Sequence, residues 1–192
     1  MNPKFVLPKI GELPILASIE SICKFEKVPT KICSTEKEGV AWAADMVVNA
    51  IKSHKDSRLF ALGLSTGRTP LGLYAELVRR YNAGEVSFAN VEVYSLDEFY
   101  PMAPDSPQSR NHRVNEDFLK YIDIKPENVH FPDGTVAREK VNEYCKEYER
   151  KVNACVDLMI MGVGELGQIG FNEPGSYAHS TTRLVQLSYN SR

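Results

Sequence analysis

The sequence predicts an α/β domain of three layers, α/β/α, built on a mainly parallel sheet. Short apolar runs bounded by turn residues alternate with amphipathic stretches of helical period; the links between them are short; and no internal repeat or long linker interrupts the alternation. Strand and helix succeeding one another in this way make neighbouring strands parallel and place the helices over the sheet faces.

Residues 1–34 are punctuated by proline and read as an irregular N-terminal extension to a domain over 35–192. From Thr35 the pattern changes: Val40, Ala43, Ala44, Val47 and Ile51 recur at three- and four-residue spacing and predict a helix with one apolar face. The run Arg58–Leu64 is nearly continuous in apolar residues and ends in Ser-Thr-Gly, as a strand buried on both faces should. A helix is expected from Pro70 to Asn82, a strand over Val91–Leu96, a helix over Arg113–Tyr121 and a short strand over Val129–Phe131. A long helix over Val136–Val152, a strand over Val156–Gly164 and an apolar strand over Thr182–Ser188 complete the series.

Composition narrows the function. With 23 Lys+Arg against 25 Asp+Glu the net charge is 23 − 25 = −2, which lacks the clustered basic charge that a nucleic-acid partner needs. The longest apolar stretch, Val156–Val163, is broken by Asp157 and is less than half of the roughly 20 residues of a membrane-spanning helix, so no membrane partner is expected. The N-terminus has neither a continuous apolar segment nor a small-residue cleavage site, and the protein is read as cytoplasmic. Cys23, Cys33, Cys145 and Cys155 form no C-x-x-C pair, so no disulfide framework is expected. The histidines at 54, 112, 130 and 179 have no ligand spacing, so no metal is expected.

Ligands of open parallel sheets bind beyond the carboxyl ends of the strands, and three polar segments fall there. In the turn Ser65-Thr66-Gly67-Arg68-Thr69-Pro70, Gly67 allows close backbone approach, Thr69 is placed to cap the next helix, and Pro70 suits its first turn. Free N–H groups and hydroxyls at a helix start suit a phosphate, although a turn that binds nothing would look the same; neither a P-loop nor G-x-G-x-x-G is present. In Ser95-Leu96-Asp97-Glu98-Phe99-Tyr100, a carboxylate at the end of a buried strand is desolvated and more basic, which suits proton abstraction; its neighbour points elsewhere and cannot complete a dyad. The bland reading has one carboxylate capping a loop and the other solvated. In the third segment, glycines at 162, 164, 167 and 170 follow an apolar strand and let the backbone run close to a ligand, with Glu173 adding a carboxylate.

Together these segments resemble the glucosamine-6-phosphate deaminase (isomerase) family, related to the 6-phosphogluconolactonases, over roughly Thr35–Arg192. STGRTPLGLYAEL resembles its phosphate-loop motif, YSLDEFY its aspartate motif and GFNEPGS its glutamate motif, with Asn128-Val129-His130 and Pro132-Asp133-Gly134 resembling its connecting segment. FNEPGS favours the deaminase branch. The resemblance implies a Rossmann-like fold, a small-molecule sugar phosphate as ligand, a homo-oligomer, no cofactor, and conversion of glucosamine 6-phosphate to fructose 6-phosphate and ammonia. It makes Asp97 the base that moves a proton between C2 and C1. Ser65, Thr66, Gly67, Arg68, Thr69 and Gly164 become substrate-binding positions. Glu173 becomes the outer member of a ring-opening relay, and Ser176 with Arg183 part of an allosteric amino-sugar phosphate site.

This sequence departs from the family in the relay and in length. An aspartate and a histidine two residues apart are expected where Leu166 and Gln168 stand. Gln168 can orient a hydroxyl but cannot accept and return a proton near neutral pH. Family members also continue through further strand–helix units that bring basic residues to the phosphate, so this sequence is expected to be incomplete at its C-terminal end relative to the family. The resulting reading is a deaminase-type enzyme with a substituted relay. The alternative is a catalytically silent sugar-phosphate sensor or regulator, and a 6-phosphogluconolactonase ranks third.

Overall fold

A computed structural model describes residues 28–153 and 156–188. The protein divides into Met1–Thr35 and Glu36–Arg192, and the architecture below is that of the second unit. Most of the expected extension, Cys23, Cys155 and residues 189–192 lie outside the described residues.

Four parallel strands stand in the order β3-β2-β1-β4: β1 (Phe60–Leu64), β2 (Val91–Ser95), β3 (Val129–His130) and β4 (Val156–Met159). All five residues of β1 are buried, as the apolar run predicts for a central strand. The backbone passes from β1 to β2 through α2 (Leu71–Asn82) and from β3 to β4 through α4 (Val141–Asn153). These crossovers step across the sheet in opposite directions, so two right-handed connections put their helices on opposite faces. The first helix, α1 (Glu36–Ser53), packs on α2; its acidic residues Glu36 and Glu38 open it and Lys52 closes it, as the helix dipole favours. Its buried stripe is Ala44, Val47 and Val48, which joins Leu62, Leu64, Tyr74, Phe88 and Phe118 in the core. Tyr74 and Phe118 stack with centroids 4.9 Å apart.

Several expectations are corrected in their bounds. The strand expected from Arg58 begins at Phe60, because Arg58 instead grips the Asp157 carboxylate with both terminal guanidinium nitrogens. Asp157 is also the extra residue where β4 slips against β1, and its Oδ2 accepts the Ala61 N–H at 2.9 Å. The β4 strand stops at Met159 rather than Gly164: one more ladder bond, Ile160 N–H to the Gly63 carbonyl at 2.9 Å, precedes the departure of the glycine-rich segment from the sheet. The short strand ends at His130, one residue early.

The helices shift as well. Thr69 does not cap α2; the turn closes through backbone bonds from Leu71 to Arg68 and from Tyr74 to Pro70, and Pro70 is already in helical conformation. Helix α3 spans Arg110–Asp117 instead of starting at Arg113, because Ser109 caps it by accepting the His112 N–H. Residues Leu119–Tyr121 form a separate 3₁₀ turn, and another turn over Arg138–Lys140 precedes α4, which was expected from Val136. The run Thr182–Ser188 is no strand. Side chains take the backbone donors that a ladder would use: Glu149 accepts from Thr182 and Glu173 from Ser188.

Candidate active site

The carboxyl ends of β1, β2 and β4 carry the three polar segments, and the sheet register sets their proximity. Leu64 pairs with Ser95, and the Leu96 N–H bonds the Leu64 carbonyl at 3.2 Å, so Ser65 and Asp97 leave adjacent strands side by side. Ser65 is buried, its carbonyl accepts the Tyr74 hydroxyl, and its own Oγ has no hydrogen-bond partner among the described residues. Gly67 adopts φ +116°, a conformation that glycine reaches without strain. Thr66 is half-buried, whereas Gly67, Arg68 and Thr69 are exposed.

Asp97 and Glu98 diverge. Glu98 turns to the start of α3, where it accepts from Ser109 Oγ at 2.7 Å, from the Arg110 N–H at 3.0 Å and from the Asn111 N–H at 3.1 Å. It thereby satisfies donors that a helix start leaves orphaned. Asp97 points into the crevice, with 15 % of its side chain exposed. Burial pushes its carboxyl above the ordinary value, against the opposing pull of the Arg110 guanidinium and the Phe171 N–H, while nearby Glu98 adds to the rise. Arg110 Nε lies 3.6 Å from Asp97 Oδ1.

The glycine-rich segment folds over this carboxylate. Val163 bridges Ile169, and Ile169 bridges Asn172, which returns the backbone so that Gly170 and Phe171 meet Asp97. Gln168 does not reach outward: its Oε1 accepts the Leu166 N–H at 3.0 Å, while its carbonyl accepts from Gly164 at 2.8 Å. Leu166 is exposed. The Glu173 carboxylate is held by the Ser188 N–H and hydroxyl, at 3.0 and 2.9 Å. Arg183 donates to Ser176 Oγ at 3.1 Å and to Asn172 Oδ1 at 3.0 Å, so the two residues paired by the resemblance do meet.

A cleft of about 350 Å³ includes Asp97, Tyr148, Phe171 and Arg183 in its wall and extends along α4. Tyr148 fixes that helix to the sheet, its hydroxyl lying 2.7 Å from the Ser95 carbonyl and 3.1 Å from that of His130. The Ser65–Thr69 turn is not part of this wall. Among the described residues no three His, Cys, Asp or Glu side chains converge on a common point fit for a metal ion. No helix among them is long and apolar enough to cross a membrane.

The family model for glucosamine-6-phosphate isomerases and 6-phosphogluconolactonase matches residues 34–170. The chain belongs to that family. A glucosamine-6-phosphate deaminase of Halothermothrix orenii is 40 % identical over 148 residues, which cover 76 % of this chain and 59 % of that protein. A Bacteroides thetaiotaomicron protein named glucosamine-6-phosphate deaminase-like is 36 % identical over 89 % of this chain and 26 % of its own length. The chain thus spans about a quarter to three-fifths of these two relatives. Among solved structures, a monomeric glucosamine-6-phosphate deaminase superposes with a TM-score of 0.77 at 34 % identity, over 83 % of this chain and 65 % of that one. The 6-phosphogluconolactonase of Thermotoga maritima, at 23 % identity and a TM-score of 0.54 over 68 % of this chain and 58 % of its own, shares the fold.

Within this glucosamine-6-phosphate isomerase/6-phosphogluconolactonase fold, the sequence reading missed Arg110 and the two rings beside it. The Arg110 guanidinium carbon stands 4.8 Å from the Phe99 ring centroid and 4.9 Å from that of Phe171. An irregular stretch, residues 98–109, separates Arg110 from Asp97, and no periodicity spans it.

Proposed function

We propose that this chain binds an amino-sugar phosphate and that its site belongs to a deaminase-type enzyme producing a ketose phosphate and ammonia. The observation that carries the reading is Asp97: a desolvated carboxylate at the end of β2, beside the β1 turn and under the glycine-rich segment. Relatives named glucosamine-6-phosphate deaminase support the substrate.

In this mechanism the sugar phosphate is anchored at Ser65–Thr69, where the unpartnered Ser65 hydroxyl offers a buried donor. Gly164 belongs to the same binding set. With the ring open, Asp97 takes the proton from C2 to give an enolamine and returns it to C1. The resulting C2 imine is hydrolysed by water to the ketone and ammonia. A raised proton affinity suits a base that must also give the proton back. Glu173, positioned by Ser188, serves the outer part of ring opening, with Gln168 in the place of its acid/base partner. Ser176 and Arg183 form part of an allosteric site for an amino-sugar phosphate. The protein acts in the cytoplasm as a homo-oligomer.

A second reading rests on Leu166 and Gln168. The Gln168 amide oxygen accepts the Leu166 N–H, and an amide does not accept and return a proton near neutral pH. That favours a sugar-phosphate-binding sensor without turnover. Ammonia release from glucosamine 6-phosphate separates the two: turnover supports the deaminase, and binding without ammonia supports the sensor.

A further inference from the structure

We infer that Arg110 is a positioning residue for Asp97: held against the Phe99 and Phe171 rings, its guanidinium faces the Asp97 carboxylate across 3.6 Å and stabilises its negative charge within the crevice. The inference rests on the assignment of Asp97 as the base and deepens it.

Three observations point to it. Arg110 Nε lies 3.6 Å from Asp97 Oδ1, close enough for a strong charge interaction but too long for a hydrogen bond, and only 19 % of the arginine side chain is exposed. Nε is buried and has no hydrogen-bond partner among the described residues. A buried cationic donor without an acceptor is unfavourable unless something holds it in place. What holds it is visible: the two rings take the guanidinium on their surfaces, and the Glu98 carboxylate accepts the Arg110 backbone N–H and fixes the first turn of α3. Glu98 therefore acts one step further back, seating the helix that delivers Arg110.

The charges around Asp97 leave this role to Arg110. From its own loop comes Glu98, which disfavours a second negative charge; from α4 comes the Tyr148 hydroxyl, kept neutral by burial; from the glycine-rich segment comes the Phe171 N–H. Glu149 and Arg183 line the same cleft. Burial raises the proton affinity of Asp97, and the nearby cation opposes that rise.

The test needs no substrate, so its outcome is independent of whether the protein deaminates. The ¹³C carboxyl resonance of Asp97, assigned by its disappearance in Asp97→Asn, is followed against pH in the full-length protein. Arg110→Met keeps an apolar stem between the rings and removes the charge, and should raise the Asp97 midpoint by about one pH unit or more. Arg110→Lys, which restores a cation, should recover most of that shift. If Arg110→Met does not fold, Arg110→Gln reads the same effect. An unchanged midpoint in the uncharged variant, or a lysine variant shifted as far as the uncharged one, would overturn the inference. A merely structural role for Arg110 would lower the melting temperature without moving the titration.

Discussion

Gly170 lies against the Asp97 carboxylate so closely that a Cβ at position 170 would stand 2.9 Å from Oδ2. Its φ of +57° is also a conformation that side-chain-bearing residues rarely adopt. Gly170→Ala should therefore cost about 1–2 kcal/mol of stability from the left-handed backbone and push Asp97 from its place. Thermal unfolding together with ligand-binding calorimetry checks this. A variant as stable as the parent would mean that the segment over Asp97 is not held as described.

Stability should carry the mark of the buried Asp97 carboxyl. Its proton affinity is higher in the folded state than the ordinary carboxylate value, so above that value the folded protein holds more protons than the unfolded one. Stability then falls as pH rises through the window between the ordinary and the raised value, and the loss is fully present above it. Asp97→Asn should be no less stable than the parent at low pH and more stable at neutral pH. Denaturant melts at several pH values measure this, and a difference independent of pH would contradict it.

Ser65 offers a different signature. A buried hydroxyl without a partner costs about 1–3 kcal/mol, so Ser65→Ala should leave the melting temperature unchanged or raised. If that hydroxyl waits for a phosphate oxygen, the same change should weaken binding of glucosamine 6-phosphate by about tenfold or more. Binding of unphosphorylated glucosamine should barely change. Calorimetry with both sugars decides it, and equal affinities for the two in the parent would remove the phosphate site.

The relay positions lend themselves to repair. Leu166 is exposed and, among the described residues, Gln168 bonds within its own segment, so neither replacement disturbs the core. Leu166→Asp with Gln168→His should raise ammonia release at least about tenfold, a modest part of the general acid–base effect. Histidine alone should help less, because its tautomer depends on a partner. A well-folded double variant without gain would favour the sensor.

What the sequence made legible was whatever short-range pattern controls. The apolar run Arg58–Leu64 announced a strand buried on both faces, realised over the five residues of β1, and the stripe of α1 announced its apolar face. The divergence of Asp97 and Glu98 followed from their adjacency, and Glu98 proves to cap a helix while Asp97 is buried rather than solvated. What stayed hidden depends on distant partners. The Thr182–Ser188 run looks like a strand by composition, yet Glu149 and Glu173, far back in the sequence, take its backbone donors. Arg110 went unnoticed in the sequence because only the fold brings it to Asp97 and the two phenylalanine rings. The Thr69 cap was chemically reasonable, but Pro70 already supplies the helical turn.

The most direct test of the central claim is solvent deuterium exchange at the carbons of glucosamine 6-phosphate, followed by NMR with the parent and with Asp97→Asn. Asp97 as the base predicts deuterium incorporation with the parent and none above the uncatalysed rate with the variant, while the variant still binds the sugar within a few-fold. Exchange that persists in Asp97→Asn, or its absence from a parent that binds the sugar, would contradict the account.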